Sequence, residues 1–408
     1  MPRPLSCSPN SPESTSGVPA EVVDAIGERR WQDLWKPSGT TRLLNHGAFG
    51  RPFQAVRDRQ HSLRARIDAD PGEFYRESHD QMIRAAADEV ATSLGVGGDT
   101  AIAFRHNAST AMVDAVGSIA RRDDDVLITN LGYGGIQIGL TRLAHTIGFR
   151  LITIEFDGLD DAIHLHERIL ETVRAHRPAV VVLDEITSDT ALHLPVTELA
   201  TTIRESSPNT CVVVDGAHSA GMLSNPSIDA ADVWVSNLHK WPCAAPGTAV
   251  IAAQSGADIG PLQRSWTGDQ TYPESFTWTG TDDYSAFLTA PIALRILDLM
   301  KGAGLDTHID EVLDKTASVL GPEWDVPADA RPETMRAPWM RLVELPVSGP
   351  YTHDWAASAM TAARNSLDLD VAVTFFGERA YVRLSAHGYN TAADYERVAE
   401  LVAVLDQL

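Results

Sequence analysis

Lysine is almost missing from this chain. Only four of its 408 residues are Lys (Lys36, Lys240, Lys301 and Lys315), and Arg supplies the other 29 of the 33 basic residues. Basic residues are in turn outnumbered by 55 acidic ones, which leaves a formal net charge of −22. Nucleic acids and anionic membranes are bound through basic faces, so this balance argues against both as partners. Cysteine is scarce too. Cys7, Cys211 and Cys243 are odd in number and show no C-x-x-C spacing. That excludes a disulfide framework, argues against a metal site, and fits a reducing cytoplasm. No apolar run approaches the ~18 residues needed to span a bilayer, and no repeat of solenoid length is present. The opening MPRPLSCSPNSPESTSGVP lacks the apolar stretch of a secretory signal. It reads as a disordered tail, residues 1–19.

What is present is an ordinary soluble composition, 44% hydrophobic and 22% charged, in a chain long enough for one large domain and a smaller one. Short apolar runs recur at 101–104, 125–129, 150–156, 179–185, 211–216, 233–237 and 247–253, with helical patterns between most of them. The runs are continuous rather than alternating, which predicts strands buried on both faces. The fold class is therefore α/β, a mostly parallel sheet between helix layers. Helical periodicity also predicts helices over 20–36, 52–70, 78–94 and 285–303. The last hundred residues differ. Two strands joined at Gly377-Glu378 and a final helix over 391–407 predict a small α+β domain. The expected organisation is a large domain with an N-terminal arm, 20–304, and a small domain, 305–408.

In a parallel sheet, chemistry sits at the carboxyl ends of the strands. A dinucleotide fingerprint is not met there: Gly132 and Gly134 fit G-x-G-x-x-G, but the third position is Gln137, and no P-loop motif occurs. The scarce lysine does fall in such a place. In "VSNLHKWPCAAPG", Lys240 follows the 233–237 strand by three residues, where an amine can form a Schiff base with an aldehyde cofactor. In "VVVDGAHSAG", Asp215 ends another buried strand, and an acid there suits a pyridinium nitrogen that must stay protonated. His218, three residues on, is within reach of the same ring. "AIAFRHNASTAMVDAV" reads as strand, turn and helix. Ala108 and Ser109 open that helix, as a phosphate site or as a plain cap. In "NLGYGG", Tyr133 follows a strand end and offers an aromatic face.

The order and spacing of these motifs, with "SNLHKW" placing Lys240 25 residues after Asp215, resemble the fold-type I, class V aminotransferase family of pyridoxal 5'-phosphate enzymes. The similarity runs from "LLNHGAFGRP" to "YVRLSAHGYNT" and is greatest to the isopenicillin N epimerase-like group, which includes C–S lyases and enzymes of lincosamide and ergothioneine pathways. The resemblance implies pyridoxal phosphate held covalently by Lys240, which also shuttles the substrate's Cα proton. It implies ring contacts from Asp215, His218 and Tyr133, and a phosphate site of Ala108 and Ser109 with Asn237 and His239 beside them. Thr281, in "FTWTGTDDYSAF", matches a residue lent to the neighbouring subunit's phosphate, so a homodimer is implied. Arg383 matches the arginine that takes the substrate α-carboxylate, a planar group suited to a guanidinium, and Asn45 and His46 are implied to lie near the substrate.

Two departures stand out. Glu185 occupies a position where many relatives carry histidine, which places an acid near the expected site mouth. The last cysteine, Cys243, lies 140 residues before Arg383, whereas sulfur transfer through a persulfide requires a mobile cysteine just upstream of that arginine. The expected activity is β-elimination with C–S cleavage of a cysteine S-conjugate. Epimerisation and decarboxylation-coupled deamination are the alternatives. The arginine-rich, lysine-poor composition suits a high-GC genome, so the expected setting is actinobacterial natural-product biosynthesis.

Overall fold

The computed structural model describes residues 17–36 and 39–407; residues 1–16 of the expected tail lie outside it. The apolar runs form one seven-stranded sheet. In chain order its strands are β1 (Thr100–Arg105), β2 (Asp125–Thr129), β3 (Arg150–Ile154), β4 (Val180–Asp184), β5 (Cys211–Asp215), β6 (Val233–Asn237) and β7 (Ala249–Gln254). Their spatial order is β1-β7-β6-β5-β4-β2-β3. All run parallel except β7, which is antiparallel to both β1 and β6.

Both faces of the sheet are buried, and successive residues supply them in turn. In β5, Val212 and Val214 join one apolar cluster while Val213 joins the other. Each such valine contributes roughly 1.5–3 kcal/mol when fully buried, which is why the runs are continuous. Helices Ala108–Ile119 and Gly134–Ile147 cover one face. Helices His79–Ser93, Leu165–His176, Val196–Ser206 and Ala290–Gly302 pack into the cluster on the other.

The C-terminal part holds a three-stranded antiparallel sheet of β8 (Met340–Glu344), β9 (Ala372–Phe376) and β10 (Arg379–Ser385), in the order β9-β10-β8. The turn falls at Gly377-Glu378. Gly377 has φ +61°, and a Cβ there would lie 2.0 Å from the Asp157 carbonyl oxygen, so only glycine lets the hairpin seat against the large sheet's loop. The N-terminal arm is stitched to this part of the chain, because Arg42–Leu43 pairs in parallel with Leu369–Asp370.

Two predicted helices are shorter than their periodicity suggests. The 20–36 segment breaks after Gly27, where Arg29 turns left-handed (φ +55°), and resumes as a 3-10 turn at Trp31–Leu34. The 285–303 segment divides into Ser285–Leu288 and Ala290–Gly302. Pro291 has no N–H to continue a helix and instead sits in the first turn of the second one. The final segment is 3-10 from Ala392 to Glu400 before its α-helix, Leu401–Leu405. No helix of the described residues is long and apolar enough to cross a membrane.

Candidate active site

The carboxyl ends of β2, β4, β5 and β6 converge on a cavity of about 620 Å³. Asp184 ends β4, Asp215 ends β5 and Asn237 ends β6. Ala108 and Ser109 open the helix on one side, and Tyr133 caps the helix that follows β2. Lys240 reaches this cavity from the turn after β6. Its loop is folded back on itself, with the Leu238 and His239 N–H groups both donated to the Thr248 carbonyl and the Cys243 N–H donated to that of Lys240. Gly50 is pressed against this turn; a Cβ there would come within 1.9 Å of the His239 oxygen.

Lys240 Nζ lies 3.0 Å from His218 Nε2. Burial, and then the nearby Arg383 charge, push the lysine down to about 7, against the opposing pull of Asp215. Burial first, then Lys240 and Arg383, hold His218 well below the usual histidine range, so its imidazole is neutral. His218 Nδ1 is buried without a partner among the described residues. Asp215 accepts the Ala217 N–H at 2.9 Å. Burial raises its carboxyl, and Ala217 and Lys240 work against that rise.

Arg383, on β10, is 4% exposed. It donates to the Ser188 carbonyl and, at 3.2 Å, to Asn45 Oδ1, while its Nε is buried without a partner among the described residues. It makes no ion pair with the described residues. A buried guanidinium without its anion is costly, and a carboxylate entering the cavity would supply one.

Not every expected residue faces the cavity. Asn45, Ala108, Ser109, Tyr133, Asp215, His218, Asn237, His239, Lys240 and Arg383 do. At the helix start, however, the Ala108 N–H is already donated to Asn237 Oδ1 at 2.9 Å, and the Thr110 N–H to Asn107 Oδ1 at 2.8 Å. Ser109 is thus left as the donor of that turn. His239 lies beside it with Nδ1 2.9 Å from the Thr248 carbonyl oxygen. Thr281 is exposed on the loop before Ser285 and does not line the cavity of its own chain.

His46, expected near the substrate, turns inward instead. Its Nε2 lies 3.1 Å from the Lys240 carbonyl oxygen and its Nδ1 3.0 Å from the Tyr389 hydroxyl. His387 Nε2 meets the Trp241 carbonyl oxygen at 3.1 Å, with its Nδ1 accepting the Gly388 N–H. The ligand atoms of His46, Cys243 and His387 lie within 4.8 Å of one another, but both imidazoles already spend Nε2 on backbone carbonyls. The three side chains brace the lysine turn from below.

Glu185 also departs from expectation. It is not at the site mouth. Its side chain passes behind the sheet, 1% exposed, accepting the Ser227 N–H at 2.5 Å and the Trp234 indole N–H at 3.1 Å. Successive residues of a strand point to opposite faces, so Asp184 enters the cavity and Glu185 leaves it.

Several lining residues went unread in the sequence: Asp184 at the end of β4 with Ile186, Ser188 and Asp189 after it, His353 and Met360 from the helix His353–Leu367, and Val373, Thr374 and Phe375 from β9. Asp184 had a legible signal, since it ends "AVVVLD" as Asp215 ends "CVVVD".

An amine, an acid and a helix N-terminus gathered at the carboxyl edge of a mostly parallel sheet, with a small domain alongside, define a fold-type I pyridoxal phosphate enzyme. The chain belongs to the class V aminotransferase family: residues 72–282 match the family described as Aminotransferase class-V. Among curated proteins it is 25% identical to the putative L-cysteine desulfhydrase 1 of Oryza sativa subsp. japonica, across 90% of this chain and 83% of that protein. It is 24% identical to the isopenicillin N epimerase of Amycolatopsis lactamdurans, across 95% and 100%. Among solved structures, the cystine C–S lyase C-DES in complex with its reaction product cysteine persulfide superposes with a TM-score of 0.71 at 16% identity, across 90% of this chain and 98% of that one.

The residues present fit the family's cofactor. Lys240 offers an amine with a lowered proton affinity, Asp215 a buried acid for the ring nitrogen, His218 an unpartnered Nδ1 and Ser109 a helix-start donor for phosphate. Tyr133 offers a half-exposed ring, and Gly135 leaves it room, since a Cβ there would meet that ring at 2.6 Å.

Proposed function

We propose that this chain is a pyridoxal phosphate-dependent lyase that cleaves the Cβ–S bond of L-cysteine or a cysteine S-conjugate. Bound pyridoxal phosphate supplies an electron sink for the pair left at Cα. The substrate α-carboxylate sits on Arg383, which has no ion pair and no partner at Nε among the described residues and so is open to an anion, with Asn45 holding the guanidinium in place. Lys240 would take the Cα proton; an amine that titrates near neutrality is well suited to that work. The thiolate then leaves with the Cβ–S bonding pair and is protonated. With one water consumed, the sum is thiol, pyruvate and ammonia.

The observation that carries the reading is where the thiols lie. Cys243 is buried under the lysine turn and Cys211 starts β5, and neither lines the cavity. Neither thiol of the described residues is placed to take up the sulfur, which on this reading leaves as a free product. The likeness to a protein named as an L-cysteine desulfhydrase supports this substrate class. We further propose that Thr281, exposed on its own chain, completes the phosphate site of a second copy in a homodimer, and that the enzyme serves natural-product assembly in an actinobacterium.

A second reading, epimerisation at Cα, is favoured by the full-length match to a protein named isopenicillin N epimerase. Product analysis in D2O separates the two. Equal amounts of thiol and pyruvate are expected from cysteine S-conjugates. Deuterium at an inverted Cα, with no thiol released, would establish the epimerase instead, and release of carbon dioxide would point to decarboxylation.

A further inference from the structure

Asp184 and Asp215 end neighbouring parallel strands and are direct partners in the register of β4 and β5. At one level of a parallel sheet, side chains point to the same side, and both carboxyls open into the cavity while only 6% and 3% exposed. Two carboxyls so placed, out of water, do not both ionise. Their surroundings are unequal. Asp215 accepts the Ala217 N–H and faces Lys240. Asp184 faces Asp215 and Asp189, and the backbone N–H groups of Tyr133 and of Asp184 itself work in its favour. It forms no ion pair with the described residues. Burial and then Asp215 push the Asp184 carboxyl well above the usual range. Gly132 makes room for it, since a Cβ there would lie 2.9 Å from Asp184 Oδ2.

We propose that Asp184 is the proton-holding member of this pair at neutral pH and presents its carboxyl O–H to the cavity as a hydrogen-bond donor, leaving Asp215 as the anion opposite Lys240. The acceptor that suits it is an oxygen on the bound ring, which an ionised Asp184 would repel. The donor role rests on the pyridoxal phosphate reading; the protonation state does not.

The test is infrared difference spectroscopy of the full-length protein at neutral pH, wild type minus Asp184→Asn, in H2O and D2O, with and without pyridoxal phosphate. A protonated-carboxyl C=O band that shifts on deuteration is expected in both forms of the wild type and absent from Asp184→Asn. No such difference band, or a band kept in Asp184→Asn and lost in Asp215→Asn, would overturn the assignment. An amide matches a neutral acid in shape and charge, so Asp184→Asn should fold and bind pyridoxal phosphate within about threefold of wild type, whereas Asp184→Ala should bind it about tenfold more weakly. Failure of Asp184→Asn to fold would mean that the amide replaces an anion and would count against the proposal. A band from Asp184 with unchanged affinity in Asp184→Ala would remove the donor role alone. Absence of pyridoxal phosphate binding by the wild type would sink the functional reading while the band still reported on the pair.

Discussion

At the scale of single residues, the site turns on how burial tunes one amine. A lysine in water is almost wholly protonated at neutral pH. Lys240 is pushed down to about 7 by burial and by Arg383, so its uncharged fraction grows as pH rises through 7 and not through the usual range near 10. Attachment of pyridoxal phosphate to cofactor-stripped protein needs that uncharged amine. The attachment rate, followed by absorbance, should therefore rise with a midpoint near pH 7 and level off above it. A midpoint above pH 9 would show that the lysine is not tuned. Lys240→Ala should still bind the cofactor without the covalent link and lose about 10²–10⁴-fold in turnover, the usual worth of a positioned base. Lys240 was legible because lysine is rare and this one follows a strand end. His46 was misread for the opposite reason: its partners Tyr389 and Lys240 are 343 and 194 residues away in sequence, and nothing local distinguishes a bracing imidazole from one that faces a substrate.

At the scale of elements, strand positions were read almost to the residue, because a strand buried on both faces has to be a continuous apolar run. The neighbours of each strand were not legible. A run such as "CVVVD" packs on both sides alike and carries no mark of which strand lies beside it, so the antiparallel insertion of β7 between β1 and β6 had no signature. The helix His353–Leu367 went unread and took His353 and Met360 with it. The alternation rule decides the role of Glu185, which leaves the cavity one residue after Asp184 enters it. Glu185 ties β4 to β6 through the Trp234 indole and to the loop between β5 and β6 through the Ser227 N–H. Glu185→Ala strands the buried Trp234 indole N–H, at about 1–3 kcal/mol, and the half-buried Ser227 N–H, at about 1 kcal/mol. Urea unfolding should show a loss of about 2–4 kcal/mol, with the cofactor absorbance of the folded variant unchanged. A displaced absorbance would return Glu185 to the site.

At the scale of the whole molecule, the proposed homodimer turns on how few donors one chain offers a phosphate. Ala108 has spent its N–H on Asn237 and Thr110 its own on Asn107, and Ser109 is a slender hold for a phosphate dianion. Thr281 stands exposed on a loop that does not reach the cavity of its own chain, and Trp266, 91% exposed, lies on the same connection between β7 and Ser285. A second copy related by twofold symmetry would cover that loop and use it, because such an interface is made twice with the same parts. The arrangement is testable by complementation. Lys240→Ala chains lack the amine, and Thr281→Glu chains place a negative charge against the partner's phosphate. Each variant alone should be nearly inactive. In a mixed dimer, the site built on the intact lysine receives the intact threonine from the other chain. After unfolding and refolding an equal mixture, half the dimers are mixed and each has one sound site. Activity should thus recover to about a quarter of wild type, and should stay at the level of the separate variants if Thr281 serves only its own chain.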